Sequence, residues 1–192
     1  MEMRTLMVGL LVLAIMAAGS LARAQEETAK VEVYGGYYFV RFNIHADLAG
    51  VAPSATYNAN GGGGQVEYNV NRWLGAVGDF AGYGATNSNG DLVGGAFTYL
   101  FGPRVNFRLR KVNPFAQVLL GGIATTAGLG VSGDQNNFAM TAGGGIDVRV
   151  SKYVWVRPVQ AEYLRTKLPN GIDNRENNFR IGAGVVVRLV KR

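Results

Sequence analysis

From Phe138 to Val150 the side chains alternate without a break. Even positions read Phe138, Met140, Ala142, Gly144, Ile146, Val148 and Val150; odd positions read Ala139, Thr141, Gly143, Gly145, Asp147 and Arg149. The same split recurs from Phe179 to Leu189, with Ile181, Ala183, Val185 and Val187 on one side and Arg180, Gly182, Gly184, Val186 and Arg188 on the other. A period of two is the side-chain period of a β-strand. The alternation alone fits a soluble sheet with its apolar face buried, or a barrel with that face turned to lipid. The connections favour the barrel. Only Ser151-Lys152 separates Val150 from Tyr153, a tight hairpin, whereas Thr166 to Asn178 is a long polar loop rich in turn formers. Short turns at one end and longer loops at the other are the layout of an outer-membrane barrel.

The amino terminus supplies the matching address. Met1 to Thr5 carries one basic residue, Leu6 to Ala18 is an apolar run, and Ala22-Arg23-Ala24 has the small-x-small form of a cleavage site. Residues 1–24 therefore read as a secretory signal peptide, with the mature chain starting at Gln25. The run is too short for a spanning helix, which needs about 20 apolar residues. No later stretch offers 18 uninterrupted apolar residues. That excludes a helical membrane protein and leaves one β domain over residues 25–192.

Three compositional facts narrow the chemistry. There is no cysteine, so thiol catalysis and thiolate metal sites are excluded. The net charge is +6, five of it in the mature chain and spread along the sequence without a basic cluster, which argues against a nucleic-acid partner. The 28 glycines follow no collagen period, and several fall inside strand patterns, where they ease the bend of a small, strongly curved barrel.

Taken in order, strands are expected over Lys30–Phe42, Gly61–Val70, Trp73–Tyr83, Leu92–Phe107 and Val112–Thr125, ahead of Phe138–Val150, the segment between the Ser151-Lys152 hairpin and the loop from Thr166, and Phe179–Leu189. The aromatic cluster in the first strand suits an interfacial girdle. Asn71-Arg72 makes a tight turn, and Pro103 marks a bulge or the near-periplasmic end of the fourth strand. Asn43–Asn60, Gly84–Asp91, Thr126–Asn136 and the segment before Phe179 form four loops of roughly eight to eighteen residues. The sum is an all-β, eight-stranded antiparallel up-and-down transmembrane barrel, whose even strand number lets it close. Its lipid-facing belt comprises Phe80, Phe97, Tyr99, Val118, Leu120, Ile146, Val148, Ile181 and Val185.

The opposite faces collect the charges. Glu32, Glu67, Asp79, Asp147 and Glu162 stand against Arg104, Arg149, Arg157, Arg180 and Arg188, provided that a bulge at Pro158 turns Gln160 and Glu162 inward together with Arg157. Eight strands enclose an interior just wide enough to be filled by side chains. Charges buried there must pair, with Glu162 the first candidate partner of Arg157. Acid/base work by a carboxylate pair such as Asp147 and Glu162 is the sharper and less favoured reading. His45 is the only histidine, and Ser54, Ser88 and Ser132 are its candidate partners in a Ser/His/acid arrangement, but a solvated loop residue is favoured. Asn87–Asp91 lacks the bidentate glutamate of a calcium loop, and Gly61–Gly64 precedes a strand rather than a helix, so neither metal, nucleotide nor any other cofactor is supported.

The mature chain resembles the small eight-stranded outer-membrane barrels typified by the OmpA transmembrane domain and OmpX. The residues that carry this are TyrLeuPheGlyProArgVal (99–105), AsnProPheAlaGlnValLeuLeuGlyGly (113–122) and ValArgProValGlnAlaGluTyrLeu (156–164). GlyAlaGlyValValValArgLeu (182–189) is similar to the carboxyl-terminal signal read by the barrel assembly machinery. The resemblance implies a bacterial outer-membrane location, surrounding lipid and lipopolysaccharide as partners, and a structural or surface-interaction role. The alternatives are a narrow pore and a lipid A-modifying acyl enzyme.

Overall fold

A computed structural model of the chain describes residues 29–45, 54–86, 92–125, 135–167 and 176–191. The signal peptide, Ser88, Ser132 and Asn87–Asp91 lie outside them. Eight strands follow in order: β1 (Ala29–His45), β2 (Ser54–Asn69), β3 (Leu74–Thr86), β4 (Leu92–Asn106), β5 (Val112–Thr125), β6 (Gln135–Arg149), β7 (Val154–Thr166) and β8 (Glu176–Lys191). Each pairs antiparallel with its sequence neighbour, and β8 pairs with β1, closing the barrel.

The turns at the end shared by the two termini are fixed by local side-chain chemistry. Asn71 Oδ1 accepts hydrogen bonds from the Trp73 and Leu74 amides at 2.9 and 2.8 Å. Ser151 Oγ does the same for Tyr153 and Val154 at 3.3 and 3.1 Å. Asn and Ser hold reverse turns in this way because a short side chain can mimic the backbone acceptor.

The opposite end departs from expectation. Asn43 to Asn60 was expected as one loop, yet β1 runs to His45 and β2 starts at Ser54, with Cα pairs continuing up to His45↔Ser54. Strands of 13 to 17 residues exceed the ~9–11 needed to cross a bilayer, so the ladder projects into water. Beyond the lipid either face of a strand tolerates polar side chains. Ser54 to Asn60 does alternate, but between Ser54, Thr56, Asn58 and Asn60 and the small or amphipathic Ala55, Tyr57 and Ala59, so it reads as a polar loop although its backbone stays paired.

Two prolines interrupt the sheet differently. Pro103 keeps unbroken register with β3, opposite Ala76, three residues from the end of β4 that shares its side with the termini; no bulge forms there. At Pro158 the β7–β8 register shifts between Arg157 and Gln160, and the β6–β7 register shifts at the same level. Arg157 and Gln160 are buried, while Pro158 and Val159 are both exposed. The extra residue absorbs the missing amide donor and re-aims the strand.

The charged lumen as candidate functional site

Lumen-facing positions recur every second residue, and most of the buried charged side chains gather towards the end of the barrel that carries the termini. Glu32, Glu67, Asp79, Asp147 and Glu162 are all buried, as are Arg104, Arg157 and Arg180. Arg104 Nη1 meets Glu67 Oε2 at 2.8 Å. Arg157 grips Asp147 with two nitrogens, Nε on Oδ1 at 2.6 Å and Nη2 on Oδ2 at 3.2 Å. Arg180 binds two carboxylates: Nη1 and Nη2 reach Asp79 at 2.9 and 3.0 Å, and Nε reaches Glu162 at 2.6 Å. Bidentate guanidinium contacts of this kind fix orientation as well as charge.

Two glutamines tie the pairs into one network. Gln65 Oε1 accepts from Arg157 Nη1 at 2.7 Å and also from Arg104, while its Nε2 donates to Asp79 at 2.7 Å. Gln117 accepts from Arg104 Nε at 2.8 Å and donates to Glu162 at 2.6 Å. An amide has one donor end and one acceptor end, so it can bridge an arginine of one pair to a carboxylate of another.

Arg104, Arg157 and Arg180 each also lie on a ring. Arg157 sits 4.4 Å from the Tyr34 centroid and 4.3 Å from that of Phe115; Arg104 is 4.2 Å from Phe115, and Arg180 4.6 Å from Tyr38. Desolvated guanidinium planes gain from such faces. Of the aromatic cluster in β1, then, Tyr34 and Tyr38 point into the lumen, and Tyr37 and Phe39 outward. Glycines provide the room: a Cβ on Gly75 would lie 2.2 Å from Glu67 Oε1, and one on Gly182 2.6 Å from the Tyr38 ring.

The outer face is apolar. Phe80, Phe97, Val118, Leu120, Ile146, Val148, Ile181 and Val185 are exposed on an otherwise closed barrel, an arrangement that only lipid satisfies. The family model for the outer membrane protein beta-barrel domain matches residues 8–186. The chain belongs to that family. Its location is accordingly the bacterial outer membrane. No curated protein matches the chain. Among solved structures it is similar to Neisserial surface protein A, 17% identical, with 85% of this chain and 100% of that one covered at a TM-score of 0.58. OprG from Pseudomonas aeruginosa is 9% identical over 86% of this chain and 98% of its own, TM-score 0.58. The N-terminal barrel domain of OprF from the same organism is 14% identical over 82% and 98%, TM-score 0.51. Identities this low carry the fold.

Arg157 is held by Asp147 rather than Glu162, because the bulge sets it beside the β6 residue between Ile146 and Val148, while Glu162 is in direct register with Arg180. Asp147 and Glu162 each answer a different arginine. Arg149, the last residue of β6, is exposed and lies outside the buried set. Its place is taken by Arg108, which the sequence reading passed over: Nη1 donates to Glu32 at 2.7 Å, Nη2 to Asn69 at 2.7 Å and Nε to the Arg72 carbonyl at 3.0 Å. Continuing the even-numbered inward phase of β4 from Arg104 and Asn106 would have found it. Arg188 lies 3.5 Å from Glu32 and stacks on Trp155 at 3.8 Å. His45 closes β1 opposite Ser54 in the backbone register.

Proposed function

We propose that this barrel is a closed structural or surface-interacting protein rather than a pore or an enzyme. The observation that supports this reading is the neutralisation of the lumen: Glu32, Glu67, Asp79, Asp147 and Glu162 are each in contact with an arginine. An ion path needs mobile water and charges that can exchange partners. A network joined by Gln65 and Gln117 in an eight-stranded interior leaves little of either. The chain is exported by residues 1–24 and cleaved after Ala24, and β8 is the strand offered to the barrel assembly machinery. Lipid surrounds the apolar belt. Towards the loops, exposed Arg41 and Lys167 suit the phosphates of lipopolysaccharide.

Conductance tests the reading. Purified barrel reconstituted into a planar bilayer is expected to give no stable steps at any applied voltage. Steady channels of one defined size would make the lumen a narrow pore and overturn it.

A further inference from the structure

Every described carboxylate whose side-chain position is defined points into the lumen and is buried: Glu32, Glu67, Asp79, Asp147 and Glu162. The charges left on the outside of the described barrel are therefore cationic. They are not evenly placed. Lys30 at the start of β1, Arg72 in the β2–β3 turn, Arg110 and Lys111 in the β4–β5 turn, Arg149 at the end of β6 and Lys152 in the β6–β7 turn are all exposed, and all lie at the end of the barrel that carries the termini. Scattered over more than a hundred residues of sequence, they look dispersed; the up-and-down topology returns each of them to one rim.

The rim adjoins an aromatic collar. Tyr68, Trp73, Phe107 and Tyr153 are exposed at the same end. Lys30 Nζ lies 5.7 Å from the Tyr68 centroid, and Lys152 Nζ 5.6 Å from that of Tyr153. Tyrosine and tryptophan take up the headgroup level of a bilayer, which puts these ammonium groups at the depth of lipid phosphates.

We propose that this rim is a binding collar for anionic phospholipid headgroups of the periplasmic leaflet. Its circular arrangement singles out that partner. A folded protein or a polymer strand would meet one side of the barrel, whereas the cations occur on the β1 edge and beneath three successive turns. Only the leaflet surrounds all of them at once. Fixed cations at an anionic surface attract it through the local potential, and the attraction fades as salt shortens the screening length. The collar orders the lipids next to the barrel and holds the barrel at a set depth, whatever the lumen does.

The test uses the full mature barrel in vesicles of phosphatidylcholine containing phosphatidylglycerol, with trace spin-labelled lipid of either headgroup. The immobilised fraction of each label gives its relative association with the protein. We expect phosphatidylglycerol to be preferred about fivefold, the ratio one cation supplies at such a surface, and the preference to collapse in ~1 M salt. The quadruple variant K30Q/R110Q/K111Q/K152Q should lose most of it, while the charge-keeping variant K30R/R110K/K111R/K152R should keep most of it. Equal association of both lipids with the native barrel would overturn the proposal, as would a preference that the quadruple variant keeps or that both variants lose equally. Co-sedimentation of native barrel, but not the quadruple variant, with peptidoglycan sacculi, without lipid preference, would reassign the rim to the cell wall. Should the quadruple variant fail to fold, the salt dependence of the native protein decides.

Discussion

The lumen has two parts built on different principles. Most charged or amide side chains lie nearer the periplasm than an apolar neighbour on the same strand: Glu32 before Val40, Arg104 below Leu100, Gln117 below Leu119, Asp147 below Ala139, Glu162 before Leu164. Val77, Phe115 and Trp155 depart from this on β3, β5 and β7, and on β8 Arg180 lies further out than Val186. The charged part is specified by bond geometry, since Arg104, Arg157 and Arg180 each have a particular carboxylate and ring. The outer part, with Val40, Ala59, Leu100, Leu119, Ile123 and Leu164, is filled mainly by apolar volume beside a few neutral polar groups such as Thr98, Thr166 and Asn178. Errors in the first leave an unmatched charge where water is scarce; errors in the second leave a hole.

The sharpest way to break that contrast is Arg180→Ala. This one side chain answers both Asp79 and Glu162 and stacks on Tyr38, so its loss strands two carboxylates. We expect a destabilisation at the upper end of the ~3–5 kcal/mol range for a broken buried pair, measured by urea unfolding from vesicles. Arg157→Ala should fall within the same range. Adding Asp147→Ala to it should cost much less than the sum of the single changes, whereas adding Glu162→Ala should cost about the sum. Strong coupling of Arg157 to Glu162, and weak coupling to Asp147, would contradict the pairing seen around the bulge.

A smaller effect is expected in the outer part. Leu119→Ala removes a fully buried side chain without exposing a charge and should cost about 2–3 kcal/mol. Leu119→Met should be nearly silent, because volume is conserved. If Leu119→Met were as damaging as Leu119→Ala, the outer part would be as geometrically exacting as the charged part and the distinction would fall.

The same contrast explains what could be read from the sequence. Strand identity and facing depend on neighbours two residues apart, so the alternations around Asp147 and Arg180 were legible, and Pro158 announced its bulge. Pairing across the lumen depends on the stagger of strands around the barrel. Arg180 and Asp79 are 101 residues apart, and Arg157 and Gln65 are 92 apart, so no local pattern joins them. Arg108 escaped because it belongs to a turn, where alternation formally stops although the side chain still points inward. Tyr34 and Tyr38 were read with their aromatic neighbours, yet their phase, shared with Glu32, had already assigned them to the lumen. The rim cations looked dispersed for the converse reason: the property that unites them is position at one end of the barrel, which sequence spacing hides.

The least costly change separates the mouth of the charged part from its interior. Arg188 keeps some exposure, and its contact with Glu32 is 3.5 Å, longer than a hydrogen bond. Glu32 retains Arg108 at 2.7 Å and Asn69 at 3.1 Å if Arg188 is removed. Arg188→Ala therefore leaves no carboxylate without a partner. What it loses is the stack on Trp155, 3.8 Å from the ring centroid, for which ~0.5–1 kcal/mol is the expected scale at a partly wet site. Arg188→Lys should recover part of that and Arg188→Gln little, because the contact depends on charge over the ring face. The chain has two tryptophans, Trp73 exposed in a turn and Trp155 buried, so replacing Trp73 by phenylalanine isolates the relevant emission. In that background Arg188→Ala should shift the Trp155 fluorescence while unfolding moves by about 1 kcal/mol or less. A loss comparable to that of Arg180→Ala would mean that Arg108 does not hold Glu32 alone, and that the charged part reaches the mouth of the barrel without weakening.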